Sequence, residues 1–245
     1  MEEKKEYLVK LFEDSGLFLS EKQAGQLILF HDLLEDRNRV MNLTAIRGFE
    51  EAAVKHFLDS AMLLKFIGGD GTGDETEALT MIDVGTGAGF PGIPLKILRP
   101  EWRITLLDAL QKRIGFLNEV IRSCALEDVE TLHARAEEAV KDRRECYDMA
   151  VSRAVAYLPA LLEYCLPLVR EGGRFIAYKS GEVDGELSEA SYAIEVLGGE
   201  LEKVEKFELP DGSARSLIFV RKVGETPEKY PRRPGKIEKA PLVMM

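Results

Sequence analysis

Met81-Ile-Asp-Val-Gly-Thr-Gly-Ala-Gly-Phe-Pro-Gly92 is the stretch on which the fold turns. Met81 to Val84 reads as a buried strand, the glycines at 85, 87 and 89 as a tight turn, and Pro91 as the opening turn of a helix. A strand that runs through such a turn into a helix puts the turn at the carboxyl end of the first strand of an open parallel sheet, where these sheets bind ligands. Glycines there remove the side chains that would keep a nucleoside from the backbone. The dinucleotide fingerprint G-x-G-x-x-G would need glycine at 90, and this chain has Phe90.

Strand-like runs alternate with helical ones downstream of this loop. Strands are expected at 79–84, 103–108, 129–132, 148–152 and 173–179, with helices from about Pro91 and over 114–124, 157–169 and 186–197. That order predicts a doubly wound α/β fold with a parallel sheet, right-handed crossovers and helices on both faces. Two further strand runs, 200–207 and 215–222, flank Leu209-Pro-Asp-Gly-Ser213 and predict a C-terminal antiparallel hairpin. Upstream, Tyr7, Leu8, Leu11 and Phe12 recur at helical spacing, and Ser20-Glu-Lys-Gln23 has the form of a capping box. The expected organisation is an N-terminal helical appendage over 1–67, a glycine-rich linker over 68–78, a Rossmann-like core over 79–224 and a basic tail over 225–245.

Composition narrows the class without naming a reaction. The 245 residues are 45% hydrophobic and 31% charged, as in an ordinary globular enzyme. No early apolar run is long enough for a leader or a membrane span, and Cys124, Cys146 and Cys165 form no C-x-x-C pair. A cytoplasmic monomer without membrane or metal partners is expected. The net charge of −10 argues against a general nucleic-acid coat. Residues 229–239 nevertheless carry five cations against one acid, so an acidic body ends in a basic tail.

Two carboxylates give the loop its chemical direction. Asp83 lies two residues ahead of Gly85, and the form Asp-x-Gly-x-Gly-x-Gly resembles motif I of class I methyltransferases, where the acid organises the loop around the methionine end of S-adenosyl-L-methionine. Asp108 ends the second strand, 21 residues after Gly87, where a carboxylate can accept from both ribose hydroxyls; capping the next helix is its competing role. After the third strand, His133-Ala-Arg-Ala-Glu137 occupies the place where this architecture lines adenine. Glu137 has an alternative there as a favourable charge at a helix start.

Asp83-Val-Gly-Thr-Gly-Ala-Gly-Phe-Pro-Gly92, Asp108-Ala-Leu-Gln-Lys-Arg113, Arg135-Ala-Glu137 and Ser152-Arg-Ala-Val155 together resemble the glucose-inhibited division protein B family. Met41-Asn-Leu-Thr44, His56-Phe-Leu-Asp-Ser60 and the ending from Tyr230 to Leu242 extend the similarity over about residues 20–242. The resemblance implies a class I fold, S-adenosyl-L-methionine as cofactor, and methylation of a guanine N7 in 16S ribosomal RNA or the small ribosomal subunit. It also implies cofactor contacts at Gly85, Phe90, Ala136, Glu137 and Arg153, beside Gly87 and Asp108.

Guanine N7 carries a free lone pair at neutral pH, so no general base is required and no catalytic residue stands out. His56, Lys179, Arg232 and Arg233 are the candidates for RNA contact; a packed His56 and a solvated Lys179 are the alternatives at those positions. Arg232 and Arg233 lie between Pro231 and Pro234, which stiffen the backbone for phosphate docking. A nicotinamide oxidoreductase, a noncatalytic RNA-binding module, and a class I methyltransferase of another RNA or a small molecule are the rival functions.

Overall fold

The computed structural model describes residues 1–67, 79–153 and 156–243. The linker expected over 68–78 lies outside them, as do Ala154 and Val155. Strands β1 (Thr80–Val84), β2 (Arg103–Asp108), β3 (Val129–His133), β4 (Tyr147–Arg153) and β5 (Val169–Ser180) pair in parallel in the order 3-2-1-4-5. Strands β6 (Gly199–Glu208) and β7 (Ala214–Lys222) form the expected hairpin, with β7 antiparallel between β5 and β6. Strand order reverses between β1 and β4, so the crevice beyond their carboxyl ends is the switch point at which open α/β sheets bind ligands.

Side-chain alternation divides the sheet between two cores. Met81, Leu106, Val151 and Ile176 point to one, and their neighbours Ile82, Leu107, Ala150 and Phe175 to the other. Helices α1 (Glu2–Asp14), α2 (Glu21–Met41), α3 (Phe49–Ala52), α4 (Asp59–Ala61) and α5 (Leu63–Ile67), with a π turn over Ala53–Leu58, cover the first face. They share it with α6 (Gly92–Leu98) and α7 (Gln111–Ser123). The second face carries α8 (Ala136–Arg143), α9 (Leu158–Cys165), α10 (Asp184–Val196) and α11 (Pro234–Lys239).

The N-terminal helices, read from sequence as an appendage, pack into the same core as the sheet. Leu8, Phe12, Leu27, Phe30 and Phe57 are fully buried in one cluster with Ile93, Leu106 and Ile176. Covering a side chain of this size contributes about 1.5–3 kcal/mol, a strong pull towards the sheet. The Ser20–Gln23 capping box is present, and Gln23 Nε2 also donates to the carbonyls of Ile97 and Leu98 at 3.0 and 3.3 Å. That amide thus joins α2 to the open carbonyl end of α6.

The C-terminal segment is another departure from expectation. Tyr230, Ile237 and Leu242 are buried in the second core, and residues 234–239 form α11. A six-residue helix opening on Pro-Gly has too little periodicity to announce itself.

Candidate active site

The glycine loop closes onto the ends of β1 and β2. The N–H groups of Gly85 and Thr86 both donate to Leu107 O, at 2.9 and 3.0 Å, and Gly87 N donates to Asp108 Oδ2 at 3.0 Å. Gly87 adopts φ +63°, which a side chain would strain. Gly92 begins α6 so close to the sheet that a Cβ would stand 2.3 Å from Leu106 Cδ2 and 2.8 Å from Asp83 Oδ2. This tight approach lets Gly92 N donate to Asp83 Oδ2 at 2.8 Å, beside the Thr86 hydroxyl at 2.6 Å. Thr86 therefore braces the acid. Burial pushes Asp83 up to about 6 against those two donors, and its Oδ1 has no hydrogen-bond partner among the described residues.

Two cavities open beyond the carboxyl ends of the strands. The first, about 160 Å³, is lined by Gly85, Asp108, Ala136, Glu137, Tyr164 and Glu238 among others. Asp108 is 3% exposed. Its Oδ1 accepts from Leu110 N at 2.8 Å, so it does support the entry to α7. Its Oδ2 accepts from Gly87 N and Arg113 Nη1. Glu137 Oε1 is buried and has no hydrogen-bond partner among the described residues. A pocket with a carboxylate at the β2 end and an unmatched acceptor after β3 fits a ligand rich in donors, as adenosine is through its ribose hydroxyls and exocyclic amine. On that observation the residues present fit S-adenosyl-L-methionine.

The second cavity, about 640 Å³, lies on the β4–β5–β7 side and is lined by Lys55, His56, Asp59, Arg153, Tyr178, Lys179, Glu186 and Arg215 among others. Arg153 and His56, separate candidates in the sequence, meet here. Lys55 lies in the π turn, and Arg153 Nη1 donates to Lys55 O at 3.2 Å. The same guanidinium reaches Asp59 Oδ2 at 3.0 Å and His56 Nδ1 at 3.2 Å, and sits 5.0 Å from the centroid of Phe90. Arg153 thus opens on the second cavity and is not among the residues lining the first. Phe90, expected as a cofactor contact, turns its ring into an aromatic cluster, stacked on His56 at 4.2 Å and 5.1 Å from Phe30.

The RNA candidates separate once placed. His56 is buried, with Nε2 2.9 Å from Thr44 Oγ1, and borders the second cavity. Lys179 lines the second cavity but donates to Ala156 O and Glu186 Oε1. Arg232, expected to face RNA phosphate, is instead spent on Glu163. Its backbone N–H, Nε and Nη2 all donate to that fully buried carboxylate, because an acid at 0% exposure on α9 needs a countercharge. Arg233 is exposed. Asp59, Arg215, Tyr164 and Glu238 were not singled out by sequence reading. Asp59 lies inside His56-Phe-Leu-Asp-Ser60 and Glu238 inside the ending from Tyr230 to Leu242, where those motifs were the available signals; Arg215 and Tyr164 lack one.

Burial, with Arg153 close by, lowers His56 from 6.5 to about 3. A base whose folded pKa is depressed stabilises the fold above its unfolded value, and that stability is lost as pH falls from 6.5 towards 3. Wild-type protein should therefore lose about 2 kcal/mol more than His56→Gln between pH 7 and pH 5. Urea unfolding at both pH values measures the difference. Equal losses would mean that the folded protein carries a protonated His56.

Comparison with known proteins agrees with this geometry. Solved structures share the fold at low identity. The [4+2]-cyclase SpnF aligns at TM-score 0.56 and 12% identity, covering 83% of this chain and 97% of that one. A mutant form of a 16S rRNA (adenine(1408)-N(1))-methyltransferase from Catenulisporales acidiphilia aligns at 0.52 and 14%, covering 64% and 89%. A cyclase and a methyltransferase on one architecture show that the fold alone does not select the reaction. Sequence relatives are far nearer. The ribosomal RNA small subunit methyltransferase G of Lachnoclostridium phytofermentans is 51% identical over 231 residues, 93% of each chain. That of Acetivibrio thermocellus is 46% identical over 249 residues, 99% of this chain and 100% of the other. The model of the family described as GidB, rRNA small subunit methyltransferase G, matches residues 23–218. On both counts the chain belongs to the GidB family, rRNA small subunit methyltransferase G.

Proposed function

We infer that this protein transfers the methyl group of S-adenosyl-L-methionine to N7 of a guanine in 16S ribosomal RNA, acting as a monomer in the cytoplasm. The observation that carries the reading is the pairing of two cavities at one end of the sheet in a chain of this family. One is narrow and edged by carboxylates, suited to adenosine; the other is wide, with four cations against two carboxylates among its lining residues. A surplus of cations at the mouth favours a phosphate-bearing substrate. Among the described residues no helix is long and apolar enough to cross a membrane.

Bound S-adenosyl-L-methionine supplies an electrophilic methyl on a sulfonium. The protein's part is to hold its reaction partners in line, since the N7 lone pair needs no base and proximity with orientation provides most of the rate. In this reading Asp108 takes the ribose, Glu137 and Ala136 border the adenine, and the Gly85–Gly87 turn lets the chain approach the amino acid end. Arg153, held by Asp59, Lys55 O and His56, stands at the entrance to the wide cavity. Lys179 and Arg233 remain the candidates for phosphate.

Mapping N7-methylguanosine in 16S ribosomal RNA from cells with and without the gene tests the reading. One site should lose methylation in the deletion strain and regain it when the purified protein is supplied with S-adenosyl-L-methionine. An unchanged N7-methylguanosine profile would remove this substrate from consideration.

A further inference from the structure

We propose that the C-terminal segment 229–242 is the outer wall of the cofactor pocket, and that the Glu163–Arg232 pair is the latch holding it there. This rests on the first cavity being the S-adenosyl-L-methionine site. Glu238, on α11, borders that cavity together with Tyr164 of α9, Glu137 of α8 and Asp108 at the end of β2. A tail that served RNA alone would have no reason to reach it.

Three attachments fix the segment. Arg144 donates to the carbonyls of Thr226 and Tyr230. Ile237 is fully buried and Leu242 nearly so within the second core. Between them, Arg232 approaches Glu163 with its Nη2 2.6 Å from Oε2, its Nε 2.8 Å from Oε1 and its backbone N–H 2.7 Å from Oε1. A two-pronged guanidinium contact adds direction as well as charge. Glu163 sits on α9 one residue before Tyr164, so the helix that supplies the pocket wall also supplies the anchor of the tail. Glu163 and Arg232 are thus positioning residues: neither lines the pocket, yet together they hold α11 against it. The exposed cations of the segment, Lys229, Arg233, Lys236 and Lys239, remain accessible to RNA.

If the tail closes the pocket, cofactor and tail stabilise each other reciprocally. Amide hydrogen exchange over residues 235–242 of the full-length wild type should slow when S-adenosylhomocysteine saturates the protein. Arg232→Met should speed exchange there and weaken S-adenosylhomocysteine about tenfold, as for a pocket that is closed roughly a tenth of the time. Exchange in β1 to β5 should stay as in wild type, and Arg232→Lys, which keeps the charge but not the fork, should fall between. Tail exchange that ignores saturating ligand would overturn the proposal, and this wild-type measurement decides even if Arg232→Met does not fold. So would a loosened tail in Arg232→Met with undiminished affinity, or a tail the substitution fails to loosen. Wild-type protein that binds no S-adenosylhomocysteine by calorimetry would overturn the cofactor reading itself and this inference with it, whereas a failure confined to the tail leaves that binding intact.

Discussion

Asp108→Ala should leave the sheet folded and weaken S-adenosyl-L-methionine about tenfold to a hundredfold. The carboxylate ends β2 at 3% exposure on the wall of the narrow cavity. Hydrogen bonds to a charged acceptor contribute about 1.5–3 kcal/mol each, and about 1.4 kcal/mol is one decade in affinity. Alanine also removes the acceptor that holds Gly87 N, so the loop keeps its bonds to Leu107 O on β2 but loses the one at Gly87. The lost pair with Arg113 matters little to folding, because that guanidinium side chain is 35% exposed and water replaces its partner. Loss of the bond from Leu110 N costs about 0.5–2 kcal/mol as a cap-like contact, too little to unfold a domain with two cores. Calorimetry on the folded variant checks the outcome. Unchanged affinity would take the ribose away from Asp108.

How far this site was legible depends on whether its parts are neighbours in sequence. The loop from Asp83 to Gly92 was readable because strand, acid, glycines and helix start follow one another, and each leaves a local mark. Asp108 and Glu137 were readable by position, since crossovers return every strand to the same end of the sheet. Phe90 was noticed for the right reason, its break with the dinucleotide pattern, but its partners His56 and Phe30 come from helices far along the chain. Packing of that kind has no sequence period. The same holds for the N-terminal helices as a group: their apolar faces were visible, while the surface that covers them was not. Arg232 shows the converse. Its basic, proline-flanked setting suggested an exposed arginine, and only the fold brings it to a buried glutamate 69 positions away.

Asp59 is where these long-range ties converge, and removing it should do more damage than any other single change in the wide cavity. Its carboxylate, 5% exposed, accepts from Arg153 Nη1 at 3.0 Å through Oδ2 and from Arg215 Nε at 3.2 Å through Oδ1. One residue of the helical region thus joins the ends of β4 and β7. Burial raises its pKa despite the two arginines that oppose the shift, so desolvation outweighs their attraction. By linkage the ionised group then costs net stability at neutral pH relative to its protonated form, and the folded state gains relative to the unfolded one as pH falls through the raised value. That is compatible with a large penalty for breaking the cluster. Asp59→Ala would take from two guanidiniums, 15% and 19% exposed, the buried carboxylate they share, a loss of about 3–5 kcal/mol. The apolar pair Asp59→Leu with Arg215→Met should recover much of this, because it removes a buried acid together with one of its two cations. Recovery should not extend to turnover if Arg153, released from Oδ2, no longer keeps its place against Phe90. Urea titration of the single and double variants, with methylation of 16S ribosomal RNA measured on whichever remain folded, separates the two effects. A single variant within about 0.5 kcal/mol of wild type, the range of ordinary surface changes, would show that the cluster does not hold the helices to the sheet.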